Sequence, residues 1–321
     1  MTMLQNDVLI PLAALVRRWL HRFNEWRFRN QVAPSDPIKG LLLAVTNVCN
    51  AKCVFCAYPK TKLNRGVMTI NAAIKALHLV NTRSVDFTPT VGDPLIDRGL
   101  AEKIKAAKLI GYEVISLTTN AILPLDGLID AGATDVFISL PSFDRDNYAA
   151  VYGVDKLPDV LHNVLTFLRE NREKGEPCKV RLRFRNSLPP SEIKRSFIFR
   201  ESFAPMLSRN VTFNFTPSFD NWGGTILGTD MQGVMKLEKP CKKMRSFCNS
   251  MNAISVRWDG QVRACGCRFV ESDEDDLIVG HINDGLNKLN GNVSQMLENW
   301  KQGNLPKTCQ NCSFYNPGKL K

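Results

Sequence analysis

Short apolar segments that alternate with helical patterns set the strongest constraint on how this chain folds. Six segments of four to six residues have the composition of buried β-strands: Leu41–Val45, Val85–Thr88, Glu113–Thr118, Asp135–Leu140, Lys179–Phe184 and Val211–Phe215. Between them lie segments with apolar residues at helical spacing: Ile70–Val80, Leu100–Ile110, Leu157–Glu170 and Ser191–Leu207. This order predicts parallel β/α units. Because six strands are too few for an eight-stranded barrel, we expect an α/β fold, an open partial (β/α)6 barrel with its chemistry at the carboxyl ends of the strands.

The alternation stops after about residue 225. Two apolar segments, Ala253–Trp258 and Gln261–Cys265, are joined by Asp259-Gly260, which predicts a β-hairpin with a tight turn. The tail from Leu305 onward has little regular pattern. We therefore expect three units: an N-terminal amphipathic helix and linker over 1–39, the partial barrel over 40–225, and a small cysteine-rich hairpin domain over 226–321.

The first unit combines apolar and basic residues in a helical pattern. Apolar side chains recur at three- and four-residue steps at Leu12, Val16, Trp19, Phe23 and Trp26, and arginines fill other faces. Packing on the main domain is one interpretation, and contact with a membrane surface or a partner is the other. The apolar stretch precedes its positive charges, which is the wrong order for a signal peptide. No apolar run reaches the about 18 residues that span a bilayer, so we expect a cytoplasmic protein.

The charge balance favours anionic partners. Lysine and arginine total 42 against 31 acidic residues, giving a formal net charge of +11. Phosphorylated small molecules, nucleic acid and acidic lipid all suit such a surface, although a generally basic surface without a specific partner has the same composition. Nucleic-acid readers interleave basic and aromatic residues on one patch, and only the N-terminal helix approaches that pattern. We therefore expect a small-molecule substrate, anionic in character, and no nucleic acid.

Nine of the ten cysteines fall into two groups, and Cys178 stands alone as a buried thiol. The first group is Cys-x3-Cys-x2-Cys at Cys49, Cys53 and Cys56, directly after the first predicted strand. Three thiolates at this spacing can bind three irons of a cuboidal 4Fe–4S cluster and leave the fourth iron open for a small molecule. Zinc is the alternative, but the spacing is poor for a zinc knuckle.

This loop resembles the signature of the radical S-adenosylmethionine (SAM) superfamily, Cys-x3-Cys-x-aromatic-Cys, with Phe55 at the aromatic position. The resemblance extends over roughly residues 40–225. It implies that the amino and carboxylate groups of SAM chelate the open iron. Reduction by a donor such as flavodoxin or ferredoxin would then cleave SAM to methionine and a 5′-deoxyadenosyl radical, which abstracts a hydrogen atom from the substrate.

Other parts of the resemblance concern SAM contacts. The stretch Val91-Gly92-Asp93-Pro94 is similar to the family's Gly-Gly-Glu-Pro segment, which receives the SAM amino group, but it differs at the first and third positions. A simple Gly-Asp-Pro turn is the alternative.

Ser139 and an arginine of the fifth strand resemble the family's contacts to the SAM ribose and carboxylate. Arg181, Arg183 and Arg185 share one face of that strand, and we take Arg183 as the SAM contact. Thr118, Thr119 and Asn120 end the third strand, where they either line the same pocket or only terminate the strand.

The second cysteine group resembles the auxiliary-cluster extensions of many radical SAM enzymes. The extension called SPASM continues with further cysteines, whereas the shorter twitch form holds one cluster and fits this chain better. We assign four ligands to one auxiliary 4Fe–4S cluster: Cys248, Cys265, Cys309 and Cys312. Cys241 and Cys267 remain candidates for one ligand place, and a structural zinc site is the alternative.

These features predict a radical SAM oxidoreductase, of dehydrogenase or epimerase type, that acts on a small polar substrate. The twitch pattern resembles the dehydrogenase of aminocyclitol antibiotic biosynthesis, so we expect a sugar- or aminocyclitol-like substrate, with or without a phosphate, and an electron-accepting auxiliary cluster. Gly266 stands where sulfatase-maturing relatives have an Asp base, which counts against their chemistry. Trp222-Gly223-Gly224 lies either near the substrate or in the core.

Two alternatives stay open. One is an enzyme that modifies ribosomal peptides, although the 48 residues before Cys49 are too few for the usual peptide-binding domain of such enzymes. The other is a metal-binding interaction protein without turnover.

Overall fold

A computed structural model of the protein describes residues 16, 19, 23, 34–60, 64–240, 248–266 and 275–315. Six parallel strands are neighbours in chain order within one sheet: β1 Gly40–Leu43, β2 Ser84–Asp86, β3 Val114–Thr119, β4 Asp135–Leu140, β5 Lys179–Arg185 and β6 Val211–Thr216. All five pairings between them are parallel. The predicted partial (β/α)6 barrel is confirmed, because helices connect strands of one direction, as parallel pairing requires.

Six helices lie between these strands or just after the fifth: α1 Ile70–Leu77, α2 Leu100–Ile110, α3 Leu128–Ala131, α4 Arg145–Tyr152, α5 Leu157–Glu173 and α6 Pro190–Arg195. Side-chain oxygens cap two of them. Thr69 accepts from the N–H of Ala72 at the start of α1, and Asp144 accepts from that of Asn147 at the start of α4. These bonds satisfy backbone donors that have no partner within the helix. Each helix has buried apolar residues, and α1 and α2 contact β1 and β3 respectively.

The helix predicted over Ser191–Leu207 is interrupted and forms separate short helical pieces. After α6, Ser196 has extended backbone (φ −58°, ψ 144°), and a π-helical turn follows at Phe199–Phe203. The Ser196 hydroxyl donates to the carbonyl of Ile193 and accepts from the N–H of Phe199. The side chain thus replaces backbone bonds of a continuous helix, which is how serine competes with helical structure.

The C-terminal region adds three strands to the same sheet: β9 Ala253–Val256, β10 Gln261–Arg263 and β11 Ile278–His281. The pair β9–β10 forms the predicted antiparallel hairpin, and β9 also pairs with β1 in parallel, Leu41 opposite Ile254. The strand order is therefore β11-β10-β9-β1-β2-β3-β4-β5-β6. Two short strands, β7 Ser218–Phe219 and β8 Lys236–Leu237, form a separate pair. Strands from both sides of residue 225 thus belong to one sheet. The domain boundary expected near that residue stays a prediction.

Two C-terminal helices complete the described fold, α7 Leu286–Lys301 and α8 Lys307–Asn311. The helix α7 lies in a region where no helix was expected. Its buried residues are apolar apart from Asn290: Leu289, Val293, Leu297 and Trp300. Asparagines and a glycine at positions 287, 290, 291 and 292 interrupt the helical pattern, because these residues have weak helix propensity. Packing of the apolar face overrides that weak local preference.

Most of the predicted N-terminal helix lies outside the described residues. Val16, Trp19 and Phe23 are helical, and each is exposed; the rings of Trp19 and Phe23 stack with centroids 5.4 Å apart. Among the residues that the structure describes, no helix has both the length and the apolar character needed to cross a lipid bilayer.

A buried ion pair braces the connection between β2 and α2. Lys103 Nζ lies 2.7 Å from Asp97 Oδ2, and the two side chains are only 3% and 2% exposed. The other oxygen of Asp97 accepts from the N–H of Gly99 at 2.9 Å. Removing one partner of such a pair leaves an uncompensated buried charge. The pair therefore holds the chain that follows Gly92–Pro94.

We expect Lys103→Met to lower the free energy of unfolding by about 3–5 kcal/mol, because the Asp97 carboxylate would stay buried without its cation. Urea unfolding at unchanged slope measures the change. Lys105→Met is the matched control, since Lys105 is exposed on the same helix, and should change stability by less than about 0.5 kcal/mol. Equal effects of the two substitutions would show that the pair contributes little.

Candidate active site

The first cysteine group lies on the loop that follows β1, at the carboxyl edge of the sheet. The N–H groups of Lys52 and Val54 donate to the carbonyls of Tyr152 and Val151 at the end of α4, at 2.9 and 3.0 Å. These bonds tie the loop to the barrel wall. Its three cysteines are half-buried and line one cavity of about 400 Å³: Cys49, Cys53 and Cys56.

Burial raises the pKa of all three thiols. The pKa of Cys49 rises to about 12 and that of Cys56 to about 11, and the pKa of Cys53 is well above its ordinary value. The positive charge of Arg185 acts in the opposite direction on Cys53 and Cys56. Thiolates therefore form here when a bound cationic group compensates their charge. The chemistry of this donor set fits an iron–sulfur cluster.

The segment predicted to receive the SAM amino group is packed against the start of the cysteine loop. Gly92 has φ 119°, and a Cβ there would lie 3.0 Å from the carbonyl oxygens of Thr46 and Val48. Only glycine fits this left-handed, close approach. The N–H of the following Asp93 donates to the Val48 carbonyl at 2.8 Å. The two segments therefore have a fixed relative position.

The Asp93 carboxylate is 3% exposed and lines the cavity. It accepts from the N–H of Asn120 at 2.7 Å, the N–H of Leu95 at 3.0 Å and the Thr119 hydroxyl at 2.9 Å. Burial raises the pKa of Asp93 to about 6, and these hydrogen bonds limit the rise. Pro94, which begins a short helical turn, is buried and does not line the cavity.

Ser139 lies at the carboxyl end of β4, inside the cavity. Its Oγ accepts from Nε of Arg185 at 2.6 Å and from the Tyr152 hydroxyl at 2.8 Å. In the strand register Ser139 is opposite Arg183, yet Arg185 makes the contact. Arg185 Cζ also lies 4.6 Å from the ring centroid of Phe219.

The three arginines of β5 have different surroundings. Arg181 pairs with Asp135 at 3.4 Å and does not line the cavity. Arg183 lines it, with Cζ 4.2 Å from the ring centroid of Phe137, and makes no ion pair within the described ranges. Burial, and then the positive charge of Arg185, lower the pKa of Arg183. Two cationic side chains thus reach the cavity.

Two further predicted residues also line the cavity. The Phe55 ring packs on Phe219 with centroids 5.0 Å apart, and the Phe55 carbonyl accepts from Nε1 of Trp222 at 2.7 Å. The N–H of Thr118 donates to the Thr88 hydroxyl at 2.8 Å. Of the predicted residues around SAM, only Pro94 lies outside the lining.

Other polar lining residues were not identified from the sequence: Asp86, Thr88, Thr90, Tyr152, Thr216 and Asp220. Asp86 ends β2 and Thr216 ends β6. Their position at the carboxyl ends of these strands could have indicated that they line the site. Tyr152 comes from a helix, and no local pattern indicates its role.

The second cysteine group surrounds a smaller cavity next to the first. Cys248, Cys265, Cys309 and Cys312 all line it. Burial raises the pKa of Cys309, and the other three cysteines raise it further. Within the described ranges, no three His, Cys, Asp or Glu side chains are grouped so as to hold a single metal ion; a polynuclear cluster has more widely spaced ligands than one ion. The rival cysteines at positions 241 and 267 lie outside the described residues.

A buried ion pair orients Cys265. Arg263 Nε lies 2.6 Å from Asp275 Oδ2, and Arg263 Nη1 donates to the Cys265 carbonyl at 3.1 Å. The side chains are 1% and 5% exposed. The guanidinium thus links the end of the hairpin to the chain that enters β11. Gly266, the next residue, lines the first cavity.

Comparison with sequence relatives identifies the segment that carries the first site. The model of the Radical SAM superfamily matches residues 43–181. The chain is 30% identical over 134 residues to a probable GTP 3′,8-cyclase of Saccharolobus solfataricus, which is 40% of this chain and 43% of that protein. It is also 30% identical over 125 residues to the GTP 3′,8-cyclase of Chlorobaculum tepidum, 37% of each. The similarity thus spans about two fifths of these relatives.

Solved structures are similar to this chain in fold. BtrN in complex with AdoMet and 2-DOIA has a TM-score of 0.52 at 14% identity, over 86% of this chain and 92% of BtrN. SuiB of Streptococcus suis bound to S-adenosylmethionine has a TM-score of 0.55 at 12% identity, over 92% of this chain and 75% of SuiB. The similarity in fold therefore extends well beyond residues 43–181, the segment that matches the model of the Radical SAM superfamily.

Proposed function

We propose that this protein is a radical SAM enzyme whose first cysteine loop holds a catalytic 4Fe–4S cluster. One observation carries the proposal: the three thiols of the loop share a single cavity with Gly92, Asp93 and Ser139, in a segment that matches the superfamily. When bound, the cluster and SAM supply reductive cleavage of SAM to methionine and a 5′-deoxyadenosyl radical that abstracts hydrogen from the substrate. The electron comes from a donor of the flavodoxin or ferredoxin class.

The chain's own residues would bind and orient SAM. The Asp93 carboxylate, placed by three hydrogen bonds, is suited to an ammonium group. Ser139 and Arg185 form one hydrogen-bonded unit, which supports Arg185 as the partner of Ser139 on the SAM side. Arg183 then remains available for the substrate, contrary to our sequence-based preference.

We also propose that Cys248, Cys265, Cys309 and Cys312 hold a second 4Fe–4S cluster. Their shared, mostly buried cavity supports this assignment. The cluster would accept the electron that a substrate radical gives up during oxidation. The half-buried carboxylate of Asp86 and the buried carboxylate of Asp220 line the first cavity, where they are placed to take the proton released with that electron.

The charges in the first cavity support a small, polar and anionic substrate. Arg183 and Asp86 attract each other, as do Arg185 and Asp220, and all four side chains line the cavity. Opposite charges on one cavity wall suit a ligand that carries both an anionic group and a cationic group, such as a phosphorylated amino sugar. The relatives named GTP 3′,8-cyclase favour a phosphorylated nucleotide as a second candidate.

Iron content and SAM cleavage test the two cysteine assignments. After anaerobic reconstitution we expect about eight irons per chain, and about four in a Cys49/Cys53/Cys56→Ala variant. The variant should form no 5′-deoxyadenosine, because the cluster whose open iron chelates SAM would be missing. A Cys309/Cys312→Ala variant should also lose about four irons, yet it should keep SAM cleavage.

Cys178→Ala is the control for this experiment, since Cys178 is a buried thiol that lines neither cysteine cavity. It should keep full iron and full cleavage. SAM cleavage by the triple variant would refute the catalytic assignment, and bound zinc in place of four irons would refute the second cluster.

SAM affinity should depend on pH through Asp93. Because burial raises the pKa of Asp93 to about 6, the carboxyl is protonated below that pH and must lose its proton to attract an ammonium group. Affinity should be full well above pH 6 and fall by up to about tenfold for each pH unit below it. Equilibrium dialysis of SAM from pH 5 to 8, on protein of verified iron content, measures this.

Asp93→Asn should flatten that profile, whereas Asp126→Asn, at an exposed position outside the cavity, should reproduce the wild-type curve. An unchanged pH dependence in Asp93→Asn would assign the titration to another group.

Arg183 should recognise the anionic group of the substrate. We expect glucosamine 6-phosphate to stimulate 5′-deoxyadenosine formation more than glucosamine does. Arg183→Met should raise the KM for the stimulating probe about 10- to 100-fold, since a hydrogen bond to a charged group is worth about 1.5–3 kcal/mol. GTP, assayed in parallel, represents the nucleotide alternative.

Arg181→Met is the matched control, because Arg181 is on the same strand face but outside the cavity. An Arg183→Met enzyme with the KM of this control would exclude Arg183 as the anion site.

A further inference from the structure

One short segment contacts the loops of both cysteine sites. Residues 219–224, here called the bridging segment, follow β6 and include three residues that line the first cavity: Phe219, Asp220 and Trp222. Asn221, which lies between Asp220 and Trp222, contacts the loop of the second site. The segment is mostly buried, with Asp220, Asn221 and Trp222 only 5%, 4% and 7% exposed.

Trp222 attaches the bridging segment to the first cysteine loop. Its Nε1 donates to the carbonyl of Phe55, the residue before Cys56, at 2.7 Å. Trp222 is held at φ 50°, and the two following glycines have φ 65° and 103°. A left-handed backbone is unusual for a bulky residue, and such conformations persist where the surroundings over-determine them. The structure maintains this turn at some cost in backbone energy.

Asn221 attaches the same segment to the second cysteine loop. Its Nδ2 donates to the carbonyl of Asn311 at 2.7 Å, and its Oδ1 accepts from the N–H of Ser313 at 3.0 Å. The N–H of Asn221 donates to the Ser313 hydroxyl at 2.9 Å. Two of these three bonds therefore hold the backbone on either side of Cys312, a predicted ligand, and the third holds the Ser313 side chain.

We propose that Asn221 is a positioning residue that clamps the loop of Cys309 and Cys312 onto the bridging segment and keeps water away from the second cysteine site. The inference rests on the second cluster under Proposed function. Phe314, the residue after Ser313, lines both cavities. The clamp therefore acts on the residue next to one that borders both the first cavity and the second site.

Loss of the clamp should shift the midpoint potential of the second cluster in one direction. The reduced cluster carries one more negative charge than the oxidised cluster, and water stabilises the more highly charged form. Hydrogen bonds to the sulfurs and solvent exposure both tune the potential of such clusters. Freeing the Ser313 N–H and admitting water should both make the midpoint potential of the second cluster more positive.

The test is a redox titration of the reconstituted protein, followed by electron paramagnetic resonance. Asn221→Leu and Asn221→Ala should keep both clusters and shift the midpoint potential of the second one upward, beyond the scatter of replicate titrations. The first cluster should keep its potential.

Asn171→Leu and Asn171→Ala are matched controls. Asn171, in α5, makes similar reciprocal bonds to the N–H and carbonyl of Cys178. Cys178 directly precedes β5, so these bonds lie at the amino end of that strand, away from the cysteine sites. These variants should shift neither potential. An unshifted second cluster in the Asn221 variants would overturn the proposal.

Hydrogen exchange of the metal-free chain separates the clamp from the cluster. A peptide that spans 309–315 should exchange about tenfold faster in Asn221→Ala, because hydrogen bonds of about 1 kcal/mol each are lost. Asn171→Ala should leave that peptide unchanged. If wild type binds no second cluster, the proposed auxiliary cluster is refuted. If exchange of the 309–315 peptide is unchanged in Asn221→Ala, the clamp itself is refuted.

Discussion

The parallel pairing of β1 with two neighbours is the constraint on which both cysteine sites depend. Leu41 is opposite Val85 of β2 on one side and Ile254 of β9 on the other. The loop that leaves β1 carries the first three cysteines, and the hairpin that begins with β9 carries Cys265. Because each ladder sets the register of its strands, the two loops have a defined position relative to the same strand. The close pairing is possible because Gly40 faces Ala253, where a Cβ would lie 3.0 Å from the alanine Cβ.

The cavity itself is built from charged groups that the fold must keep buried. Such groups are stable only when hydrogen bonds replace the water they lose. Asp93 has three donors, and Ser139 is bonded by Arg185 and a tyrosine. These contacts fix the side chains before any ligand arrives, so little reorganisation is needed on binding. Arg183 is the less restrained cation, and that difference separates a SAM-binding side from a substrate side in our proposal.

Much of the barrel was predictable, because its strands are short apolar runs whose boundaries differ from those expected by only a few residues. The cysteine loop was predictable for a different reason, since its spacing is a local property of the chain. Pairing between β1 and β9 was not, because periodicity identifies a strand but not its neighbour. Similarly, three arginines at alternate positions indicate a shared face, but only the packed structure shows that Arg185, and not Arg183, reaches Ser139.

The position of β9 also has a consequence for the order in which the chain assembles. Its partner β1 is more than 200 residues earlier in the sequence. During synthesis, the β1 edge that β9 later covers has no partner until more than 200 further residues have been made. Unpaired edges of this kind attract other chains. A nascent chain of this protein would therefore depend most on chaperones during the interval in which six strands are in place and the protecting hairpin has not yet been added.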